Sequence, residues 1–232
     1  MENVVVTRVR CDGPPMRSRN LAERLEVRFP SLCRHLYALA QRRVLDPRSR
    51  LRRAILRKGN ISGWAAFNRG DFELMLVRYA PDIEFEFDPG EQTLGRSGTF
   101  RGHEAMAKAL AEQYFEGWGQ FGLEPAYILD LGDRVLCLGF QHARGHASGV
   151  QLEQENAQLV TLREGLVTRD VHFFTWGEGL RAAGLDPDAI ALPKRRQGGH
   201  AASTRSPQGA SWLQPRLPLS RESESRGAPP EP

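Results

Sequence analysis

Cysteine is scarce in this chain, and no pattern puts it to use. The 232 residues hold three, Cys11, Cys33 and Cys137, odd in number and far apart. No C-x-x-C pair or Cys/His ligand spacing occurs, so neither a disulfide framework nor a zinc site is expected, and a reducing compartment fits. Long apolar runs are missing too. Nothing approaches the ~18–20 residues of a membrane span. The opening "VVV", followed by Arg8 and Arg10, is too short for the core of a secretory signal. A glycine-rich phosphate loop, a G-x-S-x-G elbow and an H-E-x-x-H motif are all lacking, so no nucleotide cofactor or metal is indicated. The expectation is a soluble, cytoplasmic protein that works without a cofactor.

Charge is present but unevenly placed. Residues 1–58 carry 15 Arg and Lys against 5 Asp and Glu, residues 59–186 carry 10 against 19, and residues 187–232 carry 7 against 4. A basic arm therefore precedes an acidic body and a mildly basic tail. The densest cationic run, "RSRLRRAILRK" at 48–58, is able to attract phosphate or an anionic membrane surface. It lacks a helix-turn-helix or an aromatic base-reading pattern, so nucleic acid is disfavoured as a partner. Packing of the arm on the acidic body is the simpler reading.

Periodicity then divides the chain. Residues 1–28 are mixed and contain "GPP", which predicts weak order there. Phe29, Leu32, Cys33, Leu36, Tyr37, Ala40 and Val44 form a helical apolar stripe, giving a basic helical extension over 29–49. A second helix is expected from Ser49 to Asn68. Gly70 stops it and Asp71 caps the next, which keeps helical spacing through Tyr79 until Pro81. "DIEFEFD" alternates strictly and reads as a strand. "GHEAMAKALAEQYFEGW" reads as a helix burying Met106, Leu110, Tyr114 and Trp118. Strands are expected near 121–130, 134–144, 151–163 and 166–175, with hairpin turns at "LGD" and "REG". A short helix, "GEGLRAAGL", closes the body at 186. The tail, 187–232, rich in Gly, Pro, Ser and Arg, is expected to be disordered. Helices segregated from a largely antiparallel sheet mean an α+β fold, and a bent sheet over helices leaves a concave face suited to a small ligand.

In order and spacing, "AFNRGDFELMLVRYAPDIEFEF", "GTFRGHEAMAKAL", "DLGDRVLCLG", "TLREGLVTRD" and "GLRAAGL" resemble the SnoaL-like branch of the nuclear transport factor 2 superfamily, over about residues 50–186. The resemblance implies a curved sheet wrapped around N-terminal helices as a cone-like barrel with one pocket. It also implies a homodimer and a small apolar or polyketide-like ligand. Polyketide cyclases, ketosteroid isomerases and members without known activity share this superfamily, so fold does not settle function. The tyrosine that steroid isomerases use as oxyanion donor falls at Gly63. Asp88, before Pro89, resembles their general base, yet alternation sets it with Glu84 and Glu86 and away from Ile83, Phe85 and Phe87.

The last strand is more informative. Asp170 and His172 in "LVTRDVHFFTW" are two apart and share a sheet face. On a partly dry pocket wall they form a candidate catalytic pair, Asp170 moving a proton and His172 orienting or sharing it. On the outer face the same pair is mere solvated surface. Trp64, Phe67, Tyr79, Tyr114 and Trp118 are either pocket lining or helix core. Asn156 and Gln158, with Gln154, are either polar lining or a wet dimer interface. His142 and His146 are poorly placed for a metal, and His103 reads as a first-turn residue.

Overall fold

A computed structural model describes residues 4–9, 18–43, 49–87, 98–112, 114, 118–145, 149–190 and 192. The expectations for Cys11, Val44, Asp88, His146 and almost all of the C-terminal tail lie outside the described residues. The elements, in chain order, are β1 (Val5–Arg8), α1 (Leu21–Arg28), α2 (Pro30–Arg43), α3 (Arg50–Asn68) and α4 (Phe72–Val77). They continue with β2 (Tyr79–Phe87), β3 (Gly98–Arg101), α5 (Gly102–Ala111), β4 (Trp118–Asp130), β5 (Arg134–Gly145), β6 (Gln151–Arg163), β7 (Leu166–Phe173) and α6 (Trp176–Ala182).

The fold is α+β. One seven-stranded sheet runs in the order β1-β4-β5-β6-β7-β2-β3, with β1 and β3 as edges, so it is not closed into a barrel. All neighbours pair antiparallel except β2 and β7, which are parallel. Register shifts in β4, at Trp118/Gln120 and Pro125/Tyr127, mark bulges of the kind that bend a strand and deepen a sheet's twist.

Both faces are covered, which explains why β5 buries "VLCLG" without alternation. One face packs on α3, α4 and α5 through Ile83, Phe85, Phe87, Val135 and Cys137. The other packs on α6 through Leu136, Leu138, Leu159, Val171 and Phe173. Gly139 stands between the two cores. A Cβ there would lie 2.2 Å from the Trp64 ring and 2.4 Å from the Glu124 carbonyl oxygen, so only glycine fits. Its own carbonyl accepts from Trp176 Nε1 at 2.8 Å on the opposite face.

Several boundaries differ from the expected ones. Tyr79 belongs to β2 and not to the preceding helix, because α4 stops at Val77 and β2 takes up parallel pairing at Tyr79↔Val167. Trp118 opens β4 and not the end of a helix, since its backbone pairs with Gly145. The stretch 1–28 contributes β1, paired with β4, and α1, whose Asn20 and Glu23 form a reciprocal capping box. Of the apolar stripe, Phe29, Leu32 and Leu36 are exposed, whereas Cys33 and Tyr37 are half-buried.

Ion pairs tie arm to body. Arg52, at the start of α3, is buried and bidentate on Asp130 at the end of β4, with NH2 2.7 Å from Oδ1, and it also donates to the Gly132 carbonyl. Glu23 accepts from Ser62 Oγ at 2.5 Å, and Glu26 pairs with Arg78 at 2.7 Å. Arg19 reaches Asp71, the cap of α4, at 2.6 Å. Because Arg52 and Asp130 are both out of water, removing one charge strands the other. Asp130→Asn is expected to lower unfolding free energy by about 3–5 kcal/mol in urea titrations, whereas an exposed pair such as Arg101–Glu84 should contribute about 1 kcal/mol or less.

Candidate active site

Strand β7 lies between β6 and β2, so residues on its inner face are walled on both sides. Asp170 is opposite Val160 and Phe85, and His172 is opposite Gln158 and Phe87. Both belong to the α3–α5 side of the sheet and are nearly out of water, 1% and 2% exposed. The solvated reading of the pair is thereby excluded.

The geometry around the pair is specific. Tyr79, at the start of β2, donates its hydroxyl to Asp170 Oδ2 at 2.8 Å. His172 Nε2 lies 3.3 Å from Asp170 Oδ1. That contact is not aligned as a hydrogen bond, and Oδ1 is a buried oxygen without one. On the far side of the ring, Nδ1 is 3.0 Å from the Tyr114 hydroxyl. A carboxylate only accepts, so a proton on Nε2 is the favourable arrangement opposite Asp170, leaving Nδ1 to accept from Tyr114. Phe85 and Phe87 meet the imidazole edge-on, with centroids 4.8 and 5.8 Å away. The ring is thus held by one hydroxyl and two aromatic walls.

A cavity of about 810 Å³ opens in front of this wall. Its sides are mainly apolar, including Phe85, Leu110, Val135, Val160 and Val167, and residues of α1 and α3 also line it. Asp170, His172, Gln158, Cys137 and Asn60 are polar positions on its wall, and charged residues such as Glu26, Arg52 and Arg78 line it as well. Of the expected lining residues, Trp64, Phe67, Tyr79 and Gln158 border the cavity. Tyr114 stands behind His172 and packs on Phe67 at 5.3 Å, so it supports the wall without forming it. Trp118 packs against the same core from β4. Asn156 is buried opposite Gly139, with both side-chain polar atoms lacking hydrogen bonds. Gly63 is on the cavity wall, where no tyrosine hydroxyl is available.

Two further groups were not singled out by sequence. Cys137 shares the face of Gln158 and His172 through strand pairing, and its sulfur accepts from Asn60 Nδ2 at 2.9 Å. Burial, with the charge of Asp170, pushes this thiol up to about 12, so it is a neutral wall group and no nucleophile. Burial and the same carboxylate hold the Tyr79 phenol well above its usual range, which keeps it a donor. Among the other histidines, His103 Nε2 lies 3.0 Å from the Tyr79 carbonyl oxygen, and His142 sits between Glu124 and Glu153 on the exposed end of the sheet.

The model of the SnoaL-like domain matches residues 63–170. Uncharacterised proteins of Mycobacterium bovis and Mycobacterium tuberculosis are 31% identical over 111 residues, which is 48% of this chain and 82% of theirs. The chain belongs to the SnoaL-like family. Among solved structures, TerC co-crystallised with polyporic acid is similar at 25% identity and a TM-score of 0.45, over 51% of this chain and 89% of that one.

The electrostatics carry a direct test. In a chain with Cys11 and Cys33 replaced by serine, thiolate absorbance of native Cys137 should stay absent through pH 9. In Asp170→Asn the thiol should titrate at lower pH, because a negative charge that opposes thiolate formation is gone. Unchanged titration would mean that Asp170 does not act on Cys137 across the cavity wall.

Proposed function

We propose that residues 50–186 form a small-molecule pocket domain that catalyses cofactor-free acid–base chemistry on an apolar ligand, isomerisation or cyclisation next to a carbonyl. The observation that carries this reading is Asp170, a buried carboxylate among the cavity-lining residues whose Oδ1 has no hydrogen bond. A folded chain seldom leaves such an atom unmatched unless a ligand or water completes it. Asp170 takes a proton from carbon adjacent to the ligand's carbonyl through Oδ1 and returns it at a second position. Tyr79 steadies the other oxygen, and His172, with its Nε2–H 3.3 Å from Oδ1, orients the carboxylate. Water exclusion by the apolar walls strengthens each of these interactions. Gly63 and the engaged Tyr79 hydroxyl leave no free tyrosine donor at the steroid-isomerase position, so polarisation of the carbonyl falls to another polar group, with Gln158 the candidate on the same wall.

The second reading is a non-catalytic module that binds a ligand, or dimerises, through the same cone. The apolar wall and large volume support ligand binding under either reading. A homodimer accompanies both on family resemblance.

Exchange of α-carbon hydrogens with deuterated solvent separates them. Flat cyclic ketones, a Δ5-3-ketosteroid and an anthrone, serve as probes, with binding followed by Trp64 fluorescence. The wild-type protein should accelerate exchange on a bound ketone. Asp170→Asn should retain binding and lose about 10²–10⁴-fold in rate, the usual contribution of a positioned acid–base group. Tight binding with no exchange above solvent in the wild-type protein supports the module and sinks the catalytic reading.

A further inference from the structure

The two N-terminal helices expose several large apolar residues. Leu21, Leu25, Phe29, Leu32 and Leu36 are between 47% and 75% exposed, and Leu51 and Ile55 on α3 are exposed as well. Arg24, Arg28 and His35 are interleaved with the first group, Arg50 and Lys58 with the second, all exposed. Among the described residues, these helix segments carry no exposed acid beside them. The only acids of α1 and α2, Glu23 and Glu26, turn inward to Ser62, Arg69 and Arg78.

A cleft of about 440 Å³ lies between β1 and α3, lined by Arg8, Arg50, Arg53 and Arg57. The last three recur at i, i+3 and i+7 and so occupy one face of α3. None of the four has a carboxylate partner among the described residues, and Arg53 Nε is a buried donor without a hydrogen bond. Four guanidinium groups around one cleft repel each other. Arg50 and Arg53 also sit in the first turn of α3, against the positive end of its dipole. An anion in the cleft relieves both. Ala54 and Arg57, near the N-terminal end of α3, border the central cavity as well as the cleft, and Ala22, Glu23 and Glu26 of α1 border that cavity too.

We infer that these helices and this cleft dock on an anionic lipid bilayer. The arginine cleft takes lipid phosphate, and the exposed leucines with Phe29 enter the headgroup–acyl boundary, as an interfacial amphipathic surface does. A second copy of the chain fits less well, since two such faces would oppose cation to cation. Nucleic acid suits the arginines but leaves seven exposed apolar side chains without a role. The inference does not depend on chemistry at Asp170.

Co-sedimentation of the full chain tests it, using vesicles of phosphatidylcholine alone and of phosphatidylcholine with phosphatidylglycerol at about 7:3. The protein should sediment with the mixed vesicles and remain in solution with the neutral ones. Arg53→Gln/Arg57→Gln and, separately, Leu25→Ser/Leu32→Ser should each weaken binding about tenfold or more, with melting temperatures close to wild type. Failure to sediment, or equal sedimentation with neutral vesicles, overturns the inference. So does a leucine variant that changes only the mass measured by light scattering, which points to a copy–copy interface. Binding of a single-stranded oligonucleotide that depends on the arginines, with vesicle binding absent, assigns the cleft to nucleic acid instead.

Discussion

A buried carboxylate with only one of its oxygens hydrogen-bonded sets the terms for the rest of this molecule. Removing such a group from water is unfavourable unless partners replace the lost hydration. Asp170 has a full partner in Tyr79 and a close but unaligned one in His172. That arrangement persists because β7 is paired on both edges, antiparallel to β6 and parallel to β2. The parallel pairing sets Tyr79 at the start of β2, from where its hydroxyl reaches Asp170, and sets Phe87 opposite His172. A shift of one residue would turn Asp170 and His172 to the other face.

The second core insulates the first from behind. Leu136, Leu138, Leu159 and Val171 point toward α6, while their neighbours Val135, Cys137, Gln158, Val160, Asp170 and His172 point toward the cavity. Alternation along three adjacent strands thus separates a dry, fully apolar layer from one with selected polar groups. The helix roof is fixed differently. Arg52 pins the start of α3 to Asp130, and Trp64, about one turn before the C-terminus of the same helix, rests on Gly139. The long edge of the cavity is therefore held at two points by residues that cannot be exchanged without loss of fit.

Much of this was legible in the sequence, for identifiable reasons. "DIEFEFD" and the long late strands alternate clearly, Asp71 caps α4 as expected, and the spacing of Asp170 and His172 put both on one face. Which face that was could not be read from β7 alone, since it depends on pairing with β2 and β6. Tyr79 was misplaced because Leu76 and Tyr79 keep helical spacing past the point where α4 ends and strand pairing takes over. Trp118 was misplaced for the same reason. Cys137 and Asn60 are 77 residues apart and meet only through tertiary packing. The signal for α1, Asn20 followed by Glu23, was present as a capping box. Phe29, Leu32 and Leu36 have the periodicity of a core face but lie outside, and periodicity cannot distinguish an inward apolar face from an outward one.

The account turns on His172 being held between Asp170 and Tyr114, and long-range proton–nitrogen correlation of its imidazole measures that directly. With the carboxylate opposite Nε2 and the Tyr114 hydroxyl opposite Nδ1, the ring should show a single tautomer protonated at Nε2. Tyr114→Phe should move the Nδ1 resonance downfield, toward the position of an unbonded ring nitrogen, and leave Nε2 nearly in place. A ring protonated at Nδ1, or nitrogen shifts averaged as in free imidazole, would contradict the arrangement from which the proposed chemistry is drawn.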